Sequence, residues 1–242
     1  MKRAVCLILM VVSLVVTCIC GIKLYNEYHD DRVQEQQFEK ILEFIDEDTE
    51  IVDTDCSNHL DELYTKNNDF VGMIKIPNTN INYPVMESKN HPNYYLYRNF
   101  NKEYSRYGTP YIQENCELNK SDNTIIYGHN MKTKQMFHDL TMYSSESFYE
   151  SHKYIYITTK DKQYSYEIIA TIKTVADSNS FNYSDFVNSS DETEFKNFVD
   201  KCKELSLYNI DCLAKYGDKL ITLSTCEYSK DNGRFIVVAK RI

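Results

Sequence analysis

A chain of 242 residues with 36 acidic against 27 basic side chains, net −9, lacks the basic surface that nucleic-acid binding requires. Its length, with the N-terminus set aside, suits one medium domain with a full core. Trp is absent and Gly is scarce, a compositional bias that carries no mechanism.

The N-terminus places the rest. Ala4 to Ile22 is an uncharged apolar stretch of 19 residues, preceded by Lys2 and Arg3. That length can span a bilayer as a helix. The positive flank stays in the cytoplasm, so the reading is an uncleaved signal anchor with the C-terminal bulk outside the cell membrane. Two rivals are weaker. A cleaved signal peptide needs a small-x-small site, and Thr17-Cys-Ile-Cys-Gly21 matches poorly. Lipoprotein processing at Cys18 would place Thr17 at an unfavourable position. The expected organisation is therefore a cytoplasmic tip, anchor and short linker over 1–30, then an extracellular domain over 31–242 whose N-terminal helices occupy 31–68.

Asp31 to Asp46 carries Phe38, Ile41, Leu42 and Ile45 at helical spacing, which predicts an amphipathic helix. Ser57 to Lys66 predicts a shorter helix capped by Ser57. A strand-rich region begins at Phe70. Runs rich in β-branched and aromatic residues predict strands over 70–76, 81–86, 94–97, 109–113, 123–127, 154–159, 164–175, 220–225 and 235–242. A short helix is expected around Gln135 to Tyr143. A longer one from Asp191, capped by Ser190, lines up Phe195, Phe198, Val199, Cys202 and Leu205. The sum is mainly β with added helices, closed or nearly closed into a barrel, with a helix before the last two strands.

Eight cysteines are scattered without a C-x-x-C pair, which excludes a zinc knuckle and a thioredoxin-like motif. Cys202 sits on the helical stripe and reads as core. Cys226 is different. It ends the apolar run Lys219-Leu-Ile-Thr-Leu-Ser-Thr-Cys226, and Arg234 follows at the opening of the next strand. A thiol at a strand end with a permanent cation nearby suits thiolate chemistry, because cations favour the reactive form. A buried structural cysteine is the alternative. All six histidines precede Cys226, an order that excludes a papain-like enzyme. His129 ends a strand at Tyr127-Gly-His-Asn130 and reaches a loop. His138 falls off the Phe137/Leu140 stripe and reads as exposed. His29, His59, His91 and His152 lie in polar stretches, and no ligand cluster points to a metal.

His129 in its Tyr-Gly-His-Asn loop, Thr-Leu-Ser-Thr-Cys226 and Arg234, in that chain order, resemble the signature of a sortase. Sortases are membrane-anchored cysteine transpeptidases of Gram-positive bacteria. Class B is the nearest type, through Ile126 to Met131, Met136-Phe137, Cys226-Glu-Tyr-Ser229, Asn80 to Val85, Tyr94 to Phe100 and the helix inserted before the Cys strand. The resemblance runs from about residue 31 to the end. It implies an eight-stranded sortase barrel and a cysteine transpeptidase that needs no cofactor or metal. Cys226 would attack the Thr carbonyl of a C-terminal sorting signal and form a thioacyl enzyme. His129 would move the proton, and Arg234 would hold the carbonyl or oxyanion. Leu96, Ser224, Thr225 and Glu227 stand at substrate-groove positions. Substrates would be secreted surface proteins with NPxTN-like or (S/P/N)PxTG-like signals, and the acceptor a peptidoglycan precursor or cross-bridge amine. Two other readings of the same residues are a tethered cysteine peptidase that only hydrolyses, and a non-catalytic barrel that binds surface peptides.

Overall fold

The computed structural model describes residues 2–43, 56–177 and 181–242. Two units emerge, residues 1–43 and 44–242. The first is the helix α1 (Lys2–Glu43), 42 residues long. It joins the apolar stretch and the expected amphipathic helix into one element. No Pro or Gly lies between Ile22 and Glu43, so nothing breaks the hydrogen-bond ladder. The end of that amphipathic prediction, 44–46, lies outside the described residues. From Val5 to Leu24 the apolar side chains of α1 are exposed, and its window is long and apolar enough to cross a bilayer.

The first described element of the second unit is α2 (Cys56–Lys66), whose first turn contains Ser57, the residue expected as cap. Eight strands follow: β1 (Phe70–Lys75), β2 (Asn82–Glu87), β3 (Tyr111–Ile112), β4 (Asn123–Tyr127), β5 (Tyr154–Thr158), β6 (Gln163–Val175), β7 (Leu220–Cys226) and β8 (Gly233–Arg241). They close into a barrel in the order β1-β2-β3-β4-β7-β8-β6-β5. The eight-stranded barrel with added helices is the predicted class. Parallel β4 and β7 sit side by side and are buried from Asn123 to Ile126 and from Leu220 to Thr225. Their C-terminal ends therefore emerge together, Tyr127 beside Ser224.

Three local predictions change. Tyr94–Tyr97 is a 3-10 helix, not a strand. Asn93 opens it with left-handed φ of 57°, a conformation Asn tolerates, and the Leu96 amide bonds back to the Asn93 carbonyl at 3.0 Å. The helix after His129 is also 3-10 and starts late, at His138 (His138–Ser144), because the bridge between Asn130 and Met136 holds the preceding residues in a turn. The predicted late helix is α4 (Glu192–Leu205), following the short α3 (Glu146–Ser151). Asp191, not Ser190, caps α4, accepting from the Glu194 amide at 2.9 Å, while Ser190 bonds the Glu194 carboxylate. The expected stripe is buried at Phe195, Phe198, Val199 and Cys202, with Phe198 stacked on Phe186 at 4.0 Å.

Candidate active site

Cys226 is the last residue of β7, and its register partner across the antiparallel β7/β8 pair is Arg234. Directly opposed residues point to the same face, so sheet geometry brings the thiol and the guanidinium together. Both are half-buried. The turn between the strands is tight: the Glu227 amide donates to the Gly233 carbonyl at 2.9 Å, and the Gly233 amide to Lys230 at 3.1 Å. Arg234 Nη1 donates to the Gly233 carbonyl at 3.0 Å and reaches that of Asn232 at 3.4 Å, which braces one edge of the guanidinium.

His129 arrives from the neighbouring strand. Residues on both sides of it are tied to the end of β7. Thr225 Oγ1 donates to the Gly128 carbonyl at 2.7 Å, and Asn130 Nδ2 donates to the Cys226 carbonyl at 2.9 Å. Gly128 also packs flat on the Phe137 ring, where a Cβ would come within 2.6 Å. The imidazole is half-buried, beside the Tyr97 ring at 5.5 Å, with Nε2 at 2.7 Å from the Leu96 carbonyl. A carbonyl only accepts, so Nε2 carries a hydrogen and the neutral ring keeps its lone pair on Nδ1. Burial pushes the imidazole below its usual 6.5, and the Leu96 bond opposes that shift.

The predicted groove residues divide by environment. Leu96 is half-buried in the 3-10 turn and supplies the carbonyl that holds His129. Ser224 is buried, its Oγ 2.6 Å from the Tyr183 hydroxyl. Thr225 is buried and committed to Gly128. Glu227 takes hydrogen bonds from the Ser229 hydroxyl and amide, which hold its carboxyl below the usual range. Its Oε1 is 3.8 Å from Lys173 Nζ.

Other residues at the site are not assigned by sequence reasoning. Burial pushes the Tyr183 phenol up, with Arg234 and Ser224 opposing. The Tyr111 phenol is also raised, by burial first, with Cys226 adding to the shift. The Tyr183 hydroxyl meets Ser224 Oγ, two residues before the thiol, at 2.6 Å, and the Tyr111 hydroxyl donates to Asn93 Oδ1 at 2.8 Å. No spacing rule points to them, since β3, the 181–187 segment and β7 meet only in the barrel. Asn130 follows His129 in the sequence motif, but its bond to Cys226 depends on tertiary contact. His138 is half-buried, not exposed, and its Nδ1 lies 2.8 Å from Asn130 Oδ1. Three further thiols of this unit have raised pKa values. Burial pushes Cys116 up to about 11 and Cys202 higher still; burial with the nearby Glu167 raises Cys212 to about 11. Those three remain protonated near neutrality. Among the described residues no group of three His, Cys, Asp or Glu side chains could hold a metal ion.

A Sortase domain family model matches residues 74–242. Sortase B of Staphylococcus aureus is 33% identical over 246 aligned positions, covering 100% of this chain and 98% of that protein. The chain belongs to the sortase family. Its likeness is to class B throughout, and this sortase is accordingly a class B cysteine transpeptidase. Sortase B of Listeria monocytogenes is 33% identical over 92% of this chain and 89% of its own length. The S. aureus sortase B–substrate complex superposes on this sortase with a TM-score of 0.75 at 32% identity, covering 89% of this chain and 97% of that one. Sortase B from B. anthracis, in complex with AAEK1, gives a TM-score of 0.77 at 29% identity, with 89% and 99% covered.

Proposed function

We propose that this sortase cleaves a C-terminal sorting signal after Thr and transfers the protein to a cell-wall amine through a thioacyl enzyme. The observation that carries this reading is the pairing of Cys226 with Arg234 across β7 and β8, next to a His129 loop tied to the same strand end. The Cys226 thiolate attacks the Thr carbonyl carbon and a C–S bond forms. Arg234 donates hydrogen bonds to the developing oxyanion; its fixed fork suits a localised negative oxygen. The scissile C–N bond then breaks, and His129 in its charged form gives the leaving amine a proton. The incoming amine attacks the thioester, neutral His129 takes its proton, and the C–S bond breaks to return the thiolate. Because Nε2 is held by Leu96, Nδ1 is the nitrogen that exchanges the proton.

Leu96 and Glu227 flank the signal peptide, while Ser224 and Thr225 shape the groove floor through Tyr183 and Gly128. The acceptor is a peptidoglycan precursor or cross-bridge amine, and the donors are secreted proteins with NPxTN-like or (S/P/N)PxTG-like signals. Residues 1–30 form a cytoplasmic tip, anchor and linker, and 31–242 form the extracellular catalytic part. The apolar exposed run of α1 supports that placement. Tethering enzyme and substrate to one membrane raises their effective concentration.

Mass spectrometry of a sorting peptide incubated with and without an amine acceptor tests the function. Expected is an amide-linked product when the amine is present and an acyl adduct on Cys226. A product that is only the free acid at every amine concentration would leave a hydrolase.

A further inference from the structure

We propose that His138, acting through the Asn130 amide, is a positioning residue that fixes the Cys226 peptide and so aims the thiol. This rests on Cys226 being the nucleophile.

Asn130 is 9% exposed, so its polar atoms need partners inside the protein. Its Nδ2 donates to the Cys226 carbonyl at 2.9 Å. Its Oδ1 meets His138 Nδ1 at 2.8 Å. The Cys226 carbonyl can only accept, which orients the amide with NH2 toward Cys226 and oxygen toward His138. That oxygen can only accept in turn, so His138 Nδ1 carries the hydrogen. The chain of donors thus runs one way, from imidazole to amide to nucleophile carbonyl. The Asn130 backbone carbonyl also accepts from the Tyr228 hydroxyl at 2.9 Å, a second tie from the residues just past Cys226.

Cys226 stands where β7 ends. Its own carbonyl is held by Asn130, and the following amide, of Glu227, is held by Gly233 at 2.9 Å. With both sides of that peptide plane bound, Cys226 ψ is fixed, and with it the direction of the Cα–Cβ bond that carries Sγ. His138 reaches this place because the loop after His129 doubles back: Asn130 bridges Met136, and the Phe137 amide donates to the His129 carbonyl at 2.8 Å. Without the His138 donor, the amide oxygen loses its partner and the Cys226 carbonyl alone holds the side chain in place. A flipped amide would set two oxygens against each other at Cys226.

The test is steady-state turnover of a sorting peptide by three full-length variants, with the melting temperature and the acyl adduct measured alongside. Expected for His138→Ala is a kcat reduced roughly tenfold, the size of one lost hydrogen bond, with KM within about twofold. His138→Asn, whose Nδ2 can occupy the place of imidazole Nδ1, restores most of kcat. Asn130→Asp, nearly isosteric, cannot donate to the Cys226 carbonyl and falls at least as far as His138→Ala. Wild-type kcat in a folded His138→Ala overturns the proposal. So does a loss that His138→Asn does not recover, or one that appears only in KM. Should His138→Ala not fold, wild-type kcat in Asn130→Asp overturns it instead. The reading of Cys226 fails separately, if the wild-type enzyme forms no acyl adduct on Cys226 during turnover.

Discussion

Arg234 faces Cys226 because the two are register partners on neighbouring strands, and the fixed planar fork of its guanidinium is what the proposed oxyanion requires. Arg234→Lys keeps the charge but loses the fork, so at least a tenfold loss in kcat/KM for a sorting peptide is expected; wild-type rates would remove the geometric role. Cys226→Ala should lose cleavage and transfer completely while circular dichroism and the melting temperature stay close to wild type. His129 makes a pH prediction. Its folded-state pKa is lowered by burial, so the unfolded chain binds more protons between the two values. The stability this contributes is complete above about 6.5 and is lost as pH falls through the folded value. Urea midpoints measured from pH 8 down to pH 5 should show a shallower acid decline for His129→Gln than for wild type.

The strands and turns carry the site, and they explain how much of it could be read in advance. β4 and β7 were predictable as elements because β-branched and apolar residues dominate them, as in short strands buried on both faces. The 3-10 turn over Tyr94–Tyr97 was not, because local aromatic content favours a strand and only the turn at Asn93 overrides it. That turn matters, since it presents the Leu96 carbonyl to His129. Gly108 is what lets the chain pass beneath it. Its φ is +59°, and a Cβ there would lie 2.4 Å from the Leu96 oxygen. Gly108→Ala should therefore cost about 1–3 kcal/mol by urea unfolding and lower the acylation rate as well, because the displaced oxygen is the one that holds His129. Unchanged acylation in a destabilised variant would detach Leu96 from catalysis.

At the scale of the whole molecule, the barrel closes through the β1/β5 pair, and parallel β4 and β7 deliver His129 and Cys226 at one rim. The apolar N-terminal helix forms a unit of its own by its contacts. A chain lacking the apolar stretch 4–22 should turn over a soluble sorting peptide within about twofold of the full protein. It should lose most of its activity toward a substrate presented on the same vesicle, where tethering supplies effective concentration. Equal activity in both formats would remove the anchor from function. By itself the sequence determined the family, the strand-rich class and the apolar N-terminal stretch, because each leaves a local trace in periodicity or in a short motif; by the same trace it singled out His129, Cys226 and Arg234 as candidates. Only the tertiary structure decided that the Ser224 and Thr225 hydroxyls turn inside the fold, Ser224 to Tyr183 and Thr225 to Gly128. It alone placed His138 and Asn130 in one chain to the Cys226 carbonyl. Those contacts join residues dozens of positions apart, and hydrogen bonds closed by a barrel leave no mark on the spacing of the residues that make them.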